Sequence, residues 1–128
     1  MKNVEVMFPL IADIKMEVAK KYGMIQLGQS TTQAVRAVFI VDPKGIIRTI
    51  LYYPLSTDRN FDEIKRIILA LQKADKDGVA TPADWRPGDD VIIPTAGSCG
   101  TAKERMETKA EDQYCLDWFM CFKRESKK

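Results

Sequence analysis

Hydrophobic positions along the chain fall into two textures. Residues 34–53 hold two apolar runs rich in β-branched side chains, separated by Asp42, Pro43, Lys44 and Gly45. Proline presets the φ of the second position of a type I turn, with aspartate before it and glycine closing it, so the stretch predicts a β-hairpin. In the first run Val35, Ala37, Phe39 and Val41 alternate with Ala34, Val38 and Ile40. Apolar on both faces, it predicts a central strand covered on both sides, with neighbours at both edges. The chain supplies an obvious neighbour on one side only.

The second texture is helical. Phe61, Ile64, Ile67, Ile68, Leu71 and Ala74 recur at helix spacing behind Asn60, a capping residue, with Glu63 placed to reach back to it and Gly78 to close the helix. The apolar stripe is expected to lie against the hairpin, leaving Lys65, Arg66, Lys73 and Lys76 in water. Before the hairpin, residues 4–11 predict a short strand that Pro9 ends or pushes to a sheet edge. Asp13 can cap a helix over 14–22 that Gly23 stops, and 24–32 predict a loop or weak strand. After Val79, the residues Pro82, Pro87, Gly88 and Pro94 break any long element. An irregular arm is expected there, anchored at Asp84, Trp85 and 91–93. A short helix is predicted over 101–111, with Thr101 as its cap and Glu104 at the capping-box position. Residues 113–122 crowd aromatics around Cys115 and Cys121, so this segment should be docked, within the subunit or on a partner. Together the elements imply an α/β fold that is incomplete: a hairpin with flanking helices over 1–78, and an arm over 79–128.

Composition narrows the chemistry. The 128 residues suit one domain with a real core, and twenty Lys and Arg against eighteen Asp and Glu leave a charge of only +2. The basic end, Lys123, Arg124, Lys127 and Lys128, is a solvated tail rather than a nucleic-acid site. Histidine is absent and the three cysteines have no zinc-like spacing, so neither a metal nor another cofactor is implied. No apolar run reaches the ~18 residues of a membrane span, and the start lacks the core of a signal peptide. A cytoplasmic location follows, and the odd cysteine count fits reduced thiols there. Arg36 is the exception within its apolar strand. A guanidinium cannot shed its proton, so it is either a structural ion pair or faces an anion.

Residues 35–42 with Gly45 to Arg48, then Tyr53-Pro54, Asp58-Arg59-Asn60-Phe61-Asp62-Glu63-Ile64 and Ala80-Thr81-Pro82-Ala83-Asp84-Trp85, resemble the carboxy-terminal half of a peroxiredoxin. The resemblance covers nearly the whole chain and is nearest to the subfamily of 1-Cys, peroxiredoxin-6-like enzymes and their archaeal relatives. Cys115-Leu116-Asp117-Trp118 with Cys121 is similar to the archaeal branch in particular. The resemblance implies a thioredoxin-like fold and a thiol peroxidase. In that family a peroxidatic thiolate attacks hydrogen peroxide or an organic hydroperoxide, and a second thiol resolves the sulfenic acid. A thioredoxin-like or other thiol reductant and a homo-oligomer, a dimer or a ring of dimers, are the implied partners.

By the same resemblance Arg36 matches the arginine that lowers the cysteine pKa and binds the peroxide oxygens, and Arg59 matches a supporting arginine. Cys121 matches the resolving cysteine, with Cys115 as its companion. On a helix their Cα atoms would stand ~9 Å apart. That exceeds the ~7 Å reach of a disulfide, so a direct bond needs the helix broken between them, and each cysteine is expected instead to seek a different partner. Cys99 matches no motif. The family's Pro-x-x-x-Thr-x-x-Cys motif is absent, so the chain is expected to begin after the peroxidatic cysteine and to need a missing amino-terminal half. The competing expectation is a non-catalytic oligomerisation or interaction module.

Overall fold

A computed structural model describes residues 5–107 and 110–125, apart from the Met106 side chain. The chain divides into two compact units, one up to Arg59 and one from Asn60 onward.

In the first unit, residues 5–12 form no strand, contrary to the expectation for 4–11, of which Val4 lies outside the described residues. Pro9 lacks an N–H, and Met7, Phe8, Leu10 and Ile11 are all exposed, so neither a ladder nor a buried face holds the stretch extended. Helix α1 is the single turn Glu17–Lys21, shorter than the predicted 14–22. Met16, at φ 58°, interrupts the path before it. Asp13 nevertheless caps this helix from a distance, its carboxylate accepting the N–H groups of Val18 at 3.1 Å and Ala19 at 2.7 Å. The Ala19 amide first, with the Val18 amide behind it, holds the Asp13 carboxyl below the usual carboxylate range.

Strands β1 (Arg36–Val41) and β2 (Ile47–Tyr53) form the predicted hairpin, antiparallel from Arg36 opposite Tyr53 to Val41 opposite Ile47. Asp42 builds the turn. Its Oδ1 accepts from Lys44 N at 2.9 Å and Ile46 N at 3.0 Å, and Gly45 supplies the φ of 81° that a side chain would resist. On one face Phe39 meets Tyr22 and Tyr52 edge-on, at 5.0 and 5.8 Å between ring centres. The Tyr52 hydroxyl donates to the Tyr22 carbonyl at 2.6 Å, which fastens the end of α1 to the sheet. Among the described residues β1 pairs with β2 alone. Val41, Ile46, Ile47 and Ile50 stay exposed.

The second unit begins with helix α2 (Phe61–Asp77), as predicted: Asn60 Oδ1 accepts from Glu63 N at 3.1 Å, and Gly78 ends it at φ 64°. The Glu63 carboxylate is held by Arg66 through bonds of 2.7 and 2.8 Å. Arg66 and Lys73 are not the solvated cations expected, because acids lie within their reach and their side chains are only 21% and 19% exposed. Lys73 reaches Asp77 at 2.6 Å and Glu125 at 2.7 Å. Ala70 packs with Trp85 and Val91, flanked by Leu69 and Val79, so the expected anchors of the arm form this unit's core. Trp85 satisfies its indole N–H on the Asp89 carbonyl at 3.0 Å.

The arm is more regular than its prolines suggest. Strands β3 (Val91–Ile93), β4 (Gln113–Asp117) and β5 (Met120–Lys123) form an antiparallel sheet in the order β3-β5-β4. Between β3 and β4, helix α3 runs Cys99–Glu107, and Ser98 rather than Thr101 caps it: the Ser98 hydroxyl accepts from Thr101 N at 3.2 Å. The predicted continuation to 111 crosses 108–109, outside the described residues. The terminal segment is docked within the subunit. Tyr114 stacks on Phe122 at 5.2 Å and donates to Asp90 at 3.1 Å, while Lys73 holds Glu125.

This hairpin corrects the reading of the cysteines. Residues 115–121 are two strands and a turn, so Cys115 lies directly opposite Cys121, with Cα atoms 3.9 Å apart, and the two are joined by a disulfide. The ~9 Å separation presumed a helical rise, which a hairpin does not have. The expectation of separate partners and reduced thiols fails for this pair. Cys99 is free and exposed.

Asp13 has a lower carboxyl pKa folded than unfolded, so its capping contribution is present above the ordinary value of 3.8 and is lost as pH falls through the lowered one. The Val18 and Ala19 amide proton shifts are expected to titrate with a midpoint below 3.8, and a midpoint at or above it contradicts the cap. Without reductant, iodoacetamide is expected to label Cys99 alone, and all three cysteines after dithiothreitol. Labelling of Cys115 before reduction contradicts the pairing.

Candidate functional site

Arg36 opens β1, and its position follows from the register that the Asp42 turn sets. Opposite it stands Tyr53, after which the chain turns back at Pro54, whose carbonyl accepts from Thr57 N at 3.1 Å. That return carries Leu55 and Asp58 to the guanidinium. Arg36 donates through Nη1 to the Leu55 carbonyl and meets Asp58 Oδ1 from Nε at 2.8 Å. Arg59 Nη1 stands 3.6 Å from the same oxygen. The structure therefore brings the two arginines singled out in the sequence onto one carboxylate.

The structural ion pair is present, and it leaves the guanidinium partly open. It is ion-paired, yet not sealed: its side chain is 33% exposed, Arg59 35%, and Asp58 80%. A pair with so open a carboxylate contributes about 0–1 kcal/mol, because water and salt screen it. A competing anion can take the place of Asp58 at little cost. Asp58 itself enters the sequence reading only within the string that carries the family resemblance, with no role of its own. Its signal was the placement of an acid a few residues beyond the strand that pairs with β1.

Cys115 and Cys121 lie in the second unit, joined to each other. Cys121 is buried, 3% exposed, whereas Cys115 is half-buried at the strand beside it. They lie six positions apart in sequence, and chain entropy alone makes so short a loop worth roughly 2 kcal/mol. That is a modest hold, compatible with a bond that opens and closes. Among the described residues no group of His, Cys, Asp and Glu is placed to hold a metal ion, and no helix is long and apolar enough to cross a membrane.

Comparison with known proteins agrees with this architecture. The profile of the AhpC/TSA family matches residues 1–50, and that of the C-terminal domain of 1-Cys peroxiredoxin matches residues 70–109. A peroxiredoxin of Methanosarcina mazei is 62% identical over the whole chain, and one of Aquifex aeolicus 48% identical over 95% of it. The chain spans 58% of the length of each of these relatives. Among solved structures, a yeast mitochondrial 1-Cys peroxiredoxin superposes with a TM-score of 0.67 at 37% identity, covering 86% of this chain and 53% of that one. The peroxiredoxin 6 of Arenicola marina gives 0.71 at 31% identity, covering 91% and 56%. The fold class expected from the sequence, α/β and part of a thioredoxin-like fold, is the one these neighbours share. Over the length it spans, this chain belongs to the peroxiredoxin family.

Proposed function

We propose that this chain is the carboxy-terminal portion of a cytoplasmic thiol peroxidase that reduces hydrogen peroxide and organic hydroperoxides once an amino-terminal half supplies the peroxidatic cysteine. Arg36 carries the reading: a permanent cation at a strand end, one-third exposed, paired with an open carboxylate that a second arginine, Arg59, also approaches. A fixed positive charge beside a cysteine favours the thiolate, and N–H donors facing the peroxide stabilise the oxygen charge that develops as the O–O bond breaks. Arg59 supports it by sharing Asp58 and so orienting the first guanidinium.

In the reaction the thiolate attacks one peroxide oxygen and the O–O bond breaks. The other oxygen leaves as water or alcohol after taking a proton, and the sulfur remains as a sulfenic acid. Cys121, in its reduced form, attacks that sulfur to give a disulfide and water, with Cys115 as the second thiol. A thioredoxin-like or other thiol reductant then returns two electrons. Self-association into dimers or rings of dimers is part of the same reading.

A second reading, a non-catalytic interaction module, is favoured by the exposed apolar rim of the hairpin at Val41, Ile46, Ile47 and Ile50. One experiment separates the two. The chain is assayed for peroxide consumption with dithiothreitol, alone and mixed with the part of the Methanosarcina mazei relative that it does not span. The peroxidase reading predicts no turnover alone, turnover in the mixture, and a loss of roughly 100-fold in the mixture with Arg36→Ala. A stable complex without turnover supports the module. Turnover by the chain alone that survives Arg36→Ala overturns both.

A further inference from the structure

We propose that the cleft between α2 and the turn after Trp85 binds a phosphate group that keeps one proton, as the free ion or as a small phosphate monoester. Asp62, Lys65, Arg66 and Leu69 recur at helix spacing, so they share one face of α2. Arg86 and Pro87 complete the lining of a cavity of about 270 Å³. That second wall is held in place. Trp85 is buried against Ala70, and Asp89 takes the Trp85 indole N–H on its carbonyl at 3.0 Å and the Arg86 amide on its carboxylate at 2.8 Å. Arg86 therefore leaves a backbone that is fixed at the edge of the cleft.

Six charged side chains bear on this cleft. Arg66 gives Nε and Nη2 to Glu63 at 2.7 and 2.8 Å, and Asp84 also acts on it through space. Its charge is neutralised, but the two bonds fix the guanidinium plane and leave Nη1 outside the pair. Arg86 acts on Glu63 only through space, and neither it nor Lys65 closes an ion pair among the described residues. Two such cations against one remaining acid, Asp62, leave the cleft with a single positive charge.

The donor set suits phosphate. Guanidinium forks and an ammonium match its oxygens, and one net positive charge suits a singly charged anion. Asp62 supplies the selectivity. A carboxylate in an anion site is tolerated only by an anion that brings it a hydrogen, which a P–OH group does and sulfate at neutral pH does not. The volume lies below the ~300–1,000 Å³ of pockets for drug-sized ligands, which favours a small ligand over a nucleotide. Leu69 and Pro87 offer an apolar patch to the organic part of an ester. Neither Arg36 nor a cysteine takes part, so failure here leaves the peroxidase mixing experiment untouched.

The test titrates the full chain at neutral pH and constant ionic strength with inorganic phosphate, phenyl phosphate and sulfate, by calorimetry and by amide chemical shifts. Saturable shifts are expected at Asp62, Lys65 and Arg86, with phosphate bound about tenfold more tightly than sulfate. Lys65→Ala and Arg86→Ala are each expected to weaken phosphate about tenfold while the rest of the amide spectrum stays unchanged. Asp62→Asn is expected to bring sulfate to the affinity of phosphate. Tighter binding of phenyl phosphate identifies the ligand as an ester and equal or weaker binding as the free ion; either supports the site. No saturable shift, shifts confined to Arg36 and Arg59 or scattered over other lysines, or equal affinity of the wild-type chain for sulfate and phosphate overturns the proposal.

Discussion

A guanidinium that cannot give up its proton has to be met by oxygen atoms, and the candidate site is arranged around that constraint. Arg36 is placed at the start of a strand by a hairpin whose register the Asp42 turn dictates, and the chain beyond β2 returns to offer it a carbonyl and a carboxylate. The carboxylate is shared with Arg59 and open to water. Such a pair is enough to hold the guanidinium in place and too weak to bar another anion from it. On the proposed function, position without sealing is what this residue must supply, since a thiolate and a peroxide oxygen both require a donor already oriented.

The second unit follows a different rule. It is a small core, Ala70 with Trp85 and Val91, reinforced by polar ties at its margins. Lys73 spans from α2 to Glu125 and Asp90 takes both the Tyr114 hydroxyl and the Glu125 amide, so the end of the chain is fixed by charge as much as by apolar contact. Lys73 is held in its charged form first by Asp77 and then by Glu125. The aromatic pair Tyr114 and Phe122 lies on one face of the terminal hairpin and the disulfide on the other, as the two-residue period of a strand requires.

What the sequence disclosed and what it hid differ for physical reasons. The first hairpin was legible because Pro43 and Gly45 name their turn. Helix α2 was legible because its apolar period is long and both of its caps, Asn60 and Gly78, are types with one dominant use. Arg36 was singled out by its apolar strand and both arginines by family resemblance, but their meeting on Asp58 depends on how 54–58 folds back, which no local pattern encodes. The terminal hairpin was missed because residues 113–122 are apolar on both faces and lack a turn of Gly or Pro. Trp118 and Phe119 make the bend instead. With the strands unrecognised, separate partners were favoured over the disulfide by a distance that belonged to a helix. Over residues 5–11 the reading erred in the opposite sense: strand-forming residues stay extended only when a ladder partner is at hand.

The account stands on Arg36 stabilising a thiolate, and the pKa of that thiol is its most direct measure. In the mixture with the amino-terminal part of the Methanosarcina mazei relative, the thiolate absorbance of the peroxidatic cysteine is followed against pH, with wild-type chain and with Arg36→Ala. The account predicts a pKa well below the ~8.5 of a free cysteine with the wild-type chain, returning towards it with the variant. The same value with both chains would contradict it.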